Sequence, residues 1–124
     1  MVHMKLLVVD DEIDVQFLFE QKFRKEIKSG EVQIIYAGNG MTALEIIDTI
    51  DDRADYLVLS DINMPEMNGL ELLKEIKSRY PNLKVFMITA YGDESNYNRA
   101  KTLGADDYFT KPLKFDLLKE KLSI

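Results

Sequence analysis

In Met4-Lys5-Leu6-Leu7-Val8-Val9-Asp10-Asp11 an apolar run rich in branched side chains stops abruptly at two aspartates. A short continuous run of this kind reads as a strand buried on both faces. The period then changes. From about Ile13 to Lys28 the apolar residues Val15, Leu18, Phe19, Phe23 and Ile27 recur at helical spacing, and Ser29 and Gly30 end the pattern. An amphipathic helix with that stripe on the core follows the first strand.

The same alternation repeats outward along the chain. Val32–Ala37 reads as a second strand, broken by Asn39-Gly40 before Ala43, Leu44, Ile46, Ile47 and Ile50 resume a helical stripe. Tyr56–Leu59 is a third run ending at Ser60 and Asp61, followed by the turn-forming Pro65-Glu66-Met67-Asn68-Gly69. Leu70, Leu73 and Ile76 mark a third helix, stopped by Tyr80-Pro81-Asn82, and Leu83–Ile88 is the fourth strand. From Asp93 to Leu103 the apolar content falls to Tyr97, Ala100 and Leu103, which gives a shorter fourth helix closed by Gly104. Asp107–Phe109 is a fifth strand, and Phe115, Leu118 and Leu122 place a fifth helix at the C-terminal end. Five apolar strands alternating with five amphipathic helices predict a doubly wound α/β domain with a parallel sheet covered on both faces.

At 124 residues, with 46% hydrophobic and 31% charged residues, the chain has the size and composition of one packed domain. No internal repeat or linker interrupts residues 1–124, which read as one domain with no effector domain attached. No apolar run is long enough to span a bilayer, and the N-terminus lacks the pattern of a signal peptide. With no cysteine, thiolate nucleophiles and Cys-ligated metal centres are excluded, and a cytoplasmic location is the expectation. A net charge of -6 argues against direct nucleic-acid binding. The single histidine, His3, allows neither a His-metal cluster nor a Ser-His-Asp triad and reads as a terminal residue.

In open α/β sheets ligands bind beyond the carboxyl ends of the strands. Those ends carry Asp10-Asp11, Asp61, Thr89-Ala90 and Thr110-Lys111-Pro112. Three converging carboxylates repel one another unless a cation neutralises them, and oxygen-only ligands favour a hard ion such as magnesium, which implies phosphate nearby. A carboxylate can itself attack phosphorus, and Asp61 is the candidate nucleophile, with Lys111 and Thr89 available for the phosphoryl oxygens. Each part has a plainer reading: Asp10-Asp11 as a helix N-cap, Lys111 as a solvated lysine, Tyr108 as a core aromatic. Asp106 and Asp107 read as loop solvation.

Taken together, Val8-Val9-Asp10-Asp11-Glu12, Ser60-Asp61-Ile62-Asn63-Met64-Pro65 with Gly69, Thr89-Ala90, Gly104-Ala105-Asp106-Asp107-Tyr108 and Lys111-Pro112 stand in order at strand ends. In these motifs, over essentially its whole length, the chain resembles a receiver domain of a two-component response regulator. The resemblance implies a flavodoxin-like fold with strand order 2-1-3-4-5. It implies that Asp61 accepts a phosphoryl group from a phosphohistidine on a sensor histidine kinase or histidine phosphotransfer protein. Asp10, Asp11, Asp61 and the backbone carbonyl of Asn63 would hold Mg2+, Thr89 and Lys111 would bind phosphoryl oxygens, and the Lys111-Pro112 peptide would be cis. Thr89 and Tyr108 would form the switch that alters the face of the fourth helix, fifth strand and fifth helix for a downstream protein target, as a monomer or a phosphorylation-dependent dimer.

Ile13 and Phe17 lie off the core stripe just after the acidic pair and are expected to help dock the phosphodonor. Asn63 and Tyr91 flank the acceptor and are expected to set water access to it. Three competitors remain. An aspartyl phosphatase would need Asp-x-Asp after the first strand, whereas Asp61-Ile62-Asn63 follows the third and lacks the second carboxylate. A flavodoxin-like cofactor binder would need a phosphate loop where Asp10-Asp11 stand. A receiver-like interaction module that acts without phosphorylation is the standing alternative; its usual sign is loss of an acidic, Thr or Lys position, and none is lost here.

Overall fold

Every apolar run becomes a strand in the computed structural model, which describes residues 4–90 and 92–124. The readings on His3 and Tyr91 therefore lie outside the described residues. The strands are β1 (Met4–Val9), β2 (Val32–Ala37), β3 (Tyr56–Asp61), β4 (Lys84–Thr89) and β5 (Asp107–Thr110). They form one sheet in the order β2-β1-β3-β4-β5, each neighbouring pair parallel, as expected from the doubly wound reading. Alternate side chains of one strand enter opposite layers. Leu7 and Val9 join Ile47, Leu73, Ile76 and Met87 in one core, while Leu6 and Val8 join Phe19, Phe23, Phe115 and Leu118 in the other.

Among the described residues six helices are present instead of five, because the first expected helix is divided into α1 (Ile13–Lys22) and α2 (Arg24–Ser29) at Phe23. Phe23 leaves helical geometry (φ -106°, ψ 14°) with its ring stacked at 5.7 Å on Phe19 and edge-on at 6.1 Å to Phe115. The Lys22 carbonyl at the break accepts a hydrogen bond from Lys119 Nζ at 2.7 Å, and the same ammonium pairs with Glu26 at 3.0 Å. The break corrects the sequence stripe: Leu18 (40% exposed) and Ile27 (39%) lie largely outside the core, while Phe19 and Phe23 fill it.

The remaining helices are α3 (Gly40–Thr49), α4 (Gly69–Arg79), α5 (Glu94–Thr102) and α6 (Phe115–Leu122), with a single 3-10 turn at Arg53–Asp55. Asn39 caps α3 by accepting the Thr42 N–H at 2.8 Å. Asn68 caps α4 through the N–H groups of Leu70 and Glu71, and Glu71 returns the bond to complete a capping box. The polar fourth helix of the sequence is α5, where Ala100 alone is fully buried. Among the described residues no helix is long and apolar enough to cross a membrane.

Asp106 is not a solvation residue, contrary to the sequence reading. Its carboxylate accepts the Val85 N–H at 2.8 Å and pairs with Lys77 at 2.8 Å, while its own N–H donates to Val85 O at 2.8 Å. It fastens the start of β4, the end of α4 and the turn into β5. Removing an acceptor from a partly buried amide and ammonium costs about 1 to 3 kcal/mol. Asp106→Ala should therefore lower urea-unfolding stability by about that amount, and Asp107→Ala by clearly less; equal effects would deny Asp106 this role.

Candidate functional site

Sheet register alone brings the polar strand ends together. Val9 faces Ser60 across β1 and β3, so Asp10, one residue on, emerges beside Asp61. Asp61 faces Ile88 across β3 and β4, and Thr89 faces Thr110 across β4 and β5, which sets Thr89 and Lys111 on the same rim. The Lys111 N–H donates to Thr89 O at 2.9 Å, and Lys111-Pro112 is cis.

Asp10, Asp11 and Asp61 each offer a carboxylate oxygen, and these lie within 4.8 Å of one another. Their exposure is graded: Asp11 is exposed, Asp10 is half-buried, and Asp61 is only 2% exposed. A buried carboxylate needs a partner, and Lys111 Nζ supplies it at 3.0 Å from Asp61 Oδ2. The Asn63 N–H reaches Asp61 Oδ1 at 3.4 Å. Thr89 is buried on the adjacent strand end.

The site is short of positive charge. Burial pushes Asp10 up to about 6. The Glu12 N–H (2.9 Å away) and Lys111 oppose this shift, while the charges of Asp61 and Asp11 add to it. Burial works to lower the Lys111 ammonium, yet its bond to Asp61 and the charges of Asp61, Asp10 and Glu12 outweigh it and hold its pKa above the usual lysine value. One ammonium against three clustered carboxylates, all hard oxygen donors, is a donor set that fits magnesium.

The structure thus gathers Asp10, Asp11, Asp61 and Lys111, with Thr89 beside them and Asn63 on the following loop. Tyr108 stands apart from the carboxylates. Its ring packs against Tyr97 of α5 (centroids 4.7 Å, planes 50° apart), and among the described residues its hydroxyl makes only a long 3.4 Å contact with Ala105 O. The aromatic pair escaped the sequence reading because Tyr97 and Tyr108 share no helical or strand period. Burial, with smaller contributions from Tyr97, Asp106 and Asp107, raises the Tyr108 phenol above its ordinary pKa.

A family model described as the response regulator receiver domain matches residues 6–123. Sporulation initiation phosphotransferase F of Bacillus subtilis (strain 168) is 37% identical over 120 residues, covering 97% of this chain and 91% of that protein. Chemotaxis protein CheY1 of Helicobacter pylori (strain ATCC 700392 / 26695) is 34% identical over 123 residues, covering 98% and 95%. The crystal structure of the receiver domain of NtrX from Brucella abortus aligns with a TM-score of 0.81 at 33% identity, over 95% of this chain and 94% of that one. The chain belongs to the response regulator receiver domain family of two-component systems. Such domains are signalling switches and not metabolic enzymes.

Gly69 has a local physical role in the site. A Cβ there would collide with the Asp61 carbonyl oxygen and stand 2.7 Å from Ile62 Cα, so only glycine lets the start of α4 press against the end of β3. The Gly69 N–H donates to Ile62 O at 2.8 Å and holds that approach. Gly69→Ala should lower stability by about 1 to 3 kcal/mol through backbone displacement, whereas Gly38→Ala, with open space around its Cβ, should be near neutral. Chemical denaturation of the two variants reads the contrast.

Proposed function

We propose that this chain is a phospho-acceptor switch in which Asp61 receives a phosphoryl group from a phosphohistidine of a sensor histidine kinase or histidine phosphotransfer protein. The observation that carries the reading is the convergence of Asp10, Asp11 and Asp61 with Lys111 on one strand-end rim. An Asp61 oxygen attacks phosphorus as the bond from phosphorus to the donor imidazole nitrogen breaks, and the imidazole leaves neutral after taking a proton from solvent. Asp10, Asp11, Asp61 and the backbone carbonyl of Asn63 would hold magnesium. When bound, the ion supplies positive charge that offsets repulsion between the carboxylate and the phosphoryl oxygens. Lys111, already within reach of Asp61, and the Thr89 hydroxyl bind the phosphoryl oxygens. The chain catalyses its own phosphorylation and dephosphorylation and turns over no separate metabolite.

The output runs through Thr89 and Tyr108. As Thr89 moves toward the phosphoryl group, Tyr108 leaves Tyr97 and turns inward, changing the face of α5, β5 and α6 that a downstream protein reads. Intact mass after incubation with a small phosphodonor tests the acceptor and the metal together. One phosphoryl group should appear with magnesium, none without it, and none on Asp61→Asn. A phosphoryl group on Asp61→Asn would move the acceptor elsewhere. Failure with small donors, a purified kinase and beryllofluoride alike would favour a receiver-like module that acts without phosphorylation.

The phosphodonor docks on the start of α1. Ile13 (66% exposed) and Phe17 (59%) stand one helical turn apart beside the acidic rim, where large apolar side chains cost solubility unless a partner covers them. Ile13→Ala with Phe17→Ala should slow transfer from the cognate donor by about tenfold or more and leave phosphorylation by a small donor unchanged. Equal loss with both donors would mean a damaged site and not a docking surface.

A further inference from the structure

We propose that β2, the free edge of the sheet, pairs antiparallel with β2 of a second copy of this chain. In this twofold dimer the acidic start of α1 in one copy meets the basic α2 of the other. The inference concerns the edge opposite β5 and does not depend on the phosphorylation reading.

Among the described residues no strand pairs with the outer side of β2, and the strand has none of the sequence features that keep an edge strand single. Val32-Gln33-Ile34-Ile35-Tyr36-Ala37 contains no charge and no proline, and Ile34, Ile35 and Tyr36 are all only half-buried. The other edge, β5, is shorter and begins with the charged Asp107, which pairs with Lys121 at 3.5 Å. Glu31 O and Ala37 O accept the N–H groups of Met4 and Asp10 at 3.1 Å, so the alternation of a parallel ladder turns the N–H and C=O groups of Val32, Ile34 and Tyr36 outward. A twofold axis at Ile34 sets Ile34 opposite Ile34 and Val32 opposite Tyr36 of the second copy. Each facing pair then exchanges both of its hydrogen bonds.

Charge favours a second copy as the occupant. The start of the first helical segment carries Asp10, Asp11, Glu12 and Asp14, and its end carries Lys22, Arg24, Lys25 and Lys28 against a single acid, Glu26. Lys119 already holds Glu26, and Arg24, Lys25 and Lys28 have no ion pair among the described residues. These ends map onto the two ends of β2. A groove of about 620 Å³ runs along β2 from Val32 to Tyr36, lined by Arg24 and Lys28 together with Glu20, whereas Asp11 and Glu12 line a separate pocket with Tyr36 and Ala37. Antiparallel pairing turns one copy end for end, so each acidic end faces a basic end, twice. Two chains of net charge -6 repel overall, and this pairing offsets that repulsion by setting opposite charges together at both ends.

Sedimentation equilibrium up to about 1 mM protein, in about 20 mM and about 500 mM salt, reads the association. Backbone amide exchange of Val32, Ile34 and Tyr36 reads the strand. The wild type should dimerise more weakly at high salt, with those three amides slowed as concentration rises. Arg24→Glu with Lys28→Glu makes both ends acidic, and Glu12→Lys with Asp14→Lys makes both ends basic. Each variant alone should weaken self-association by about tenfold or more, and an equal mixture of the two should recover a mixed dimer. Because these changes are on the surface, circular dichroism should show both variants folded. A wild type that stays monomeric, a dimer indifferent to either charge reversal, or a mixture that fails to associate would each overturn the proposal. Slowing of the same amides by an acidic extended peptide in a monomeric chain would also overturn it and give the edge to a foreign strand.

Discussion

A carboxylate almost wholly removed from water, with two more beside it, is the constraint around which the rest of this molecule is organised. Burying an ion without compensation is expensive enough that it would otherwise be neutralised. Asp61 is held as the last residue of a central strand whose other five residues are also buried, and it is itself only 2% exposed. Lys111 gives it a cation at 3.0 Å, and the remaining negative charge shows in Asp10, whose pKa burial and its neighbours raise to about 6. A site so short of positive charge is poised to respond to a cation or to a change in its own charge.

Placing these groups needs little beyond the sheet. Because β1 and β3 are adjacent although not consecutive in sequence, Asp10 and Asp61 become neighbours across a gap of fifty residues. The β3–β4–β5 register then carries Thr89 and Lys111 to the same rim. The hydrophobic pattern that fixes strand order therefore also fixes the chemistry, and a one-residue slip of any strand would disperse it. Gly69 adds the remaining local requirement, since the loop after Asp61 must fold back under the start of α4 with no room for a side chain.

Much of this was legible in the sequence, and the parts that were not share a cause. Apolar runs ending in polar pairs located all five strands to within a residue or two, and the residues now clustered as Asp10, Asp11, Asp61 and Lys111 could be named from their place at strand ends. The first helix was misread because a stripe at 3.6-residue spacing is blind to a break. Phe19 and Phe23 turn into the aromatic cluster while Leu18 and Ile27 are left facing water. Asp106 looked like an ordinary loop acid because its partners, Lys77 and the Val85 N–H, stand more than twenty residues away. Periodicity reports which face of an element is buried; it carries no information about a polar group whose partner is set by tertiary folding.

The two helices that flank the rim on one side of the sheet differ in how firmly they are held. α4 buries Gly69, Leu70, Leu72, Leu73 and Ile76 and is closed by a capping box, whereas α5 buries only Ala100 and rests on half-exposed contacts such as Tyr97 against Tyr108. Local opening free energy scales with buried apolar contact, so α5 is the less firmly held of the two. The start of α4 is in addition tied by the Gly69 N–H to Ile62 O, one residue beyond β3. In the proposed switch, movement at the rim would therefore be steered away from β3 and toward the α5–β5 surface. The same asymmetry would let one end of the sheet keep its charges in register while the neighbouring face changed shape.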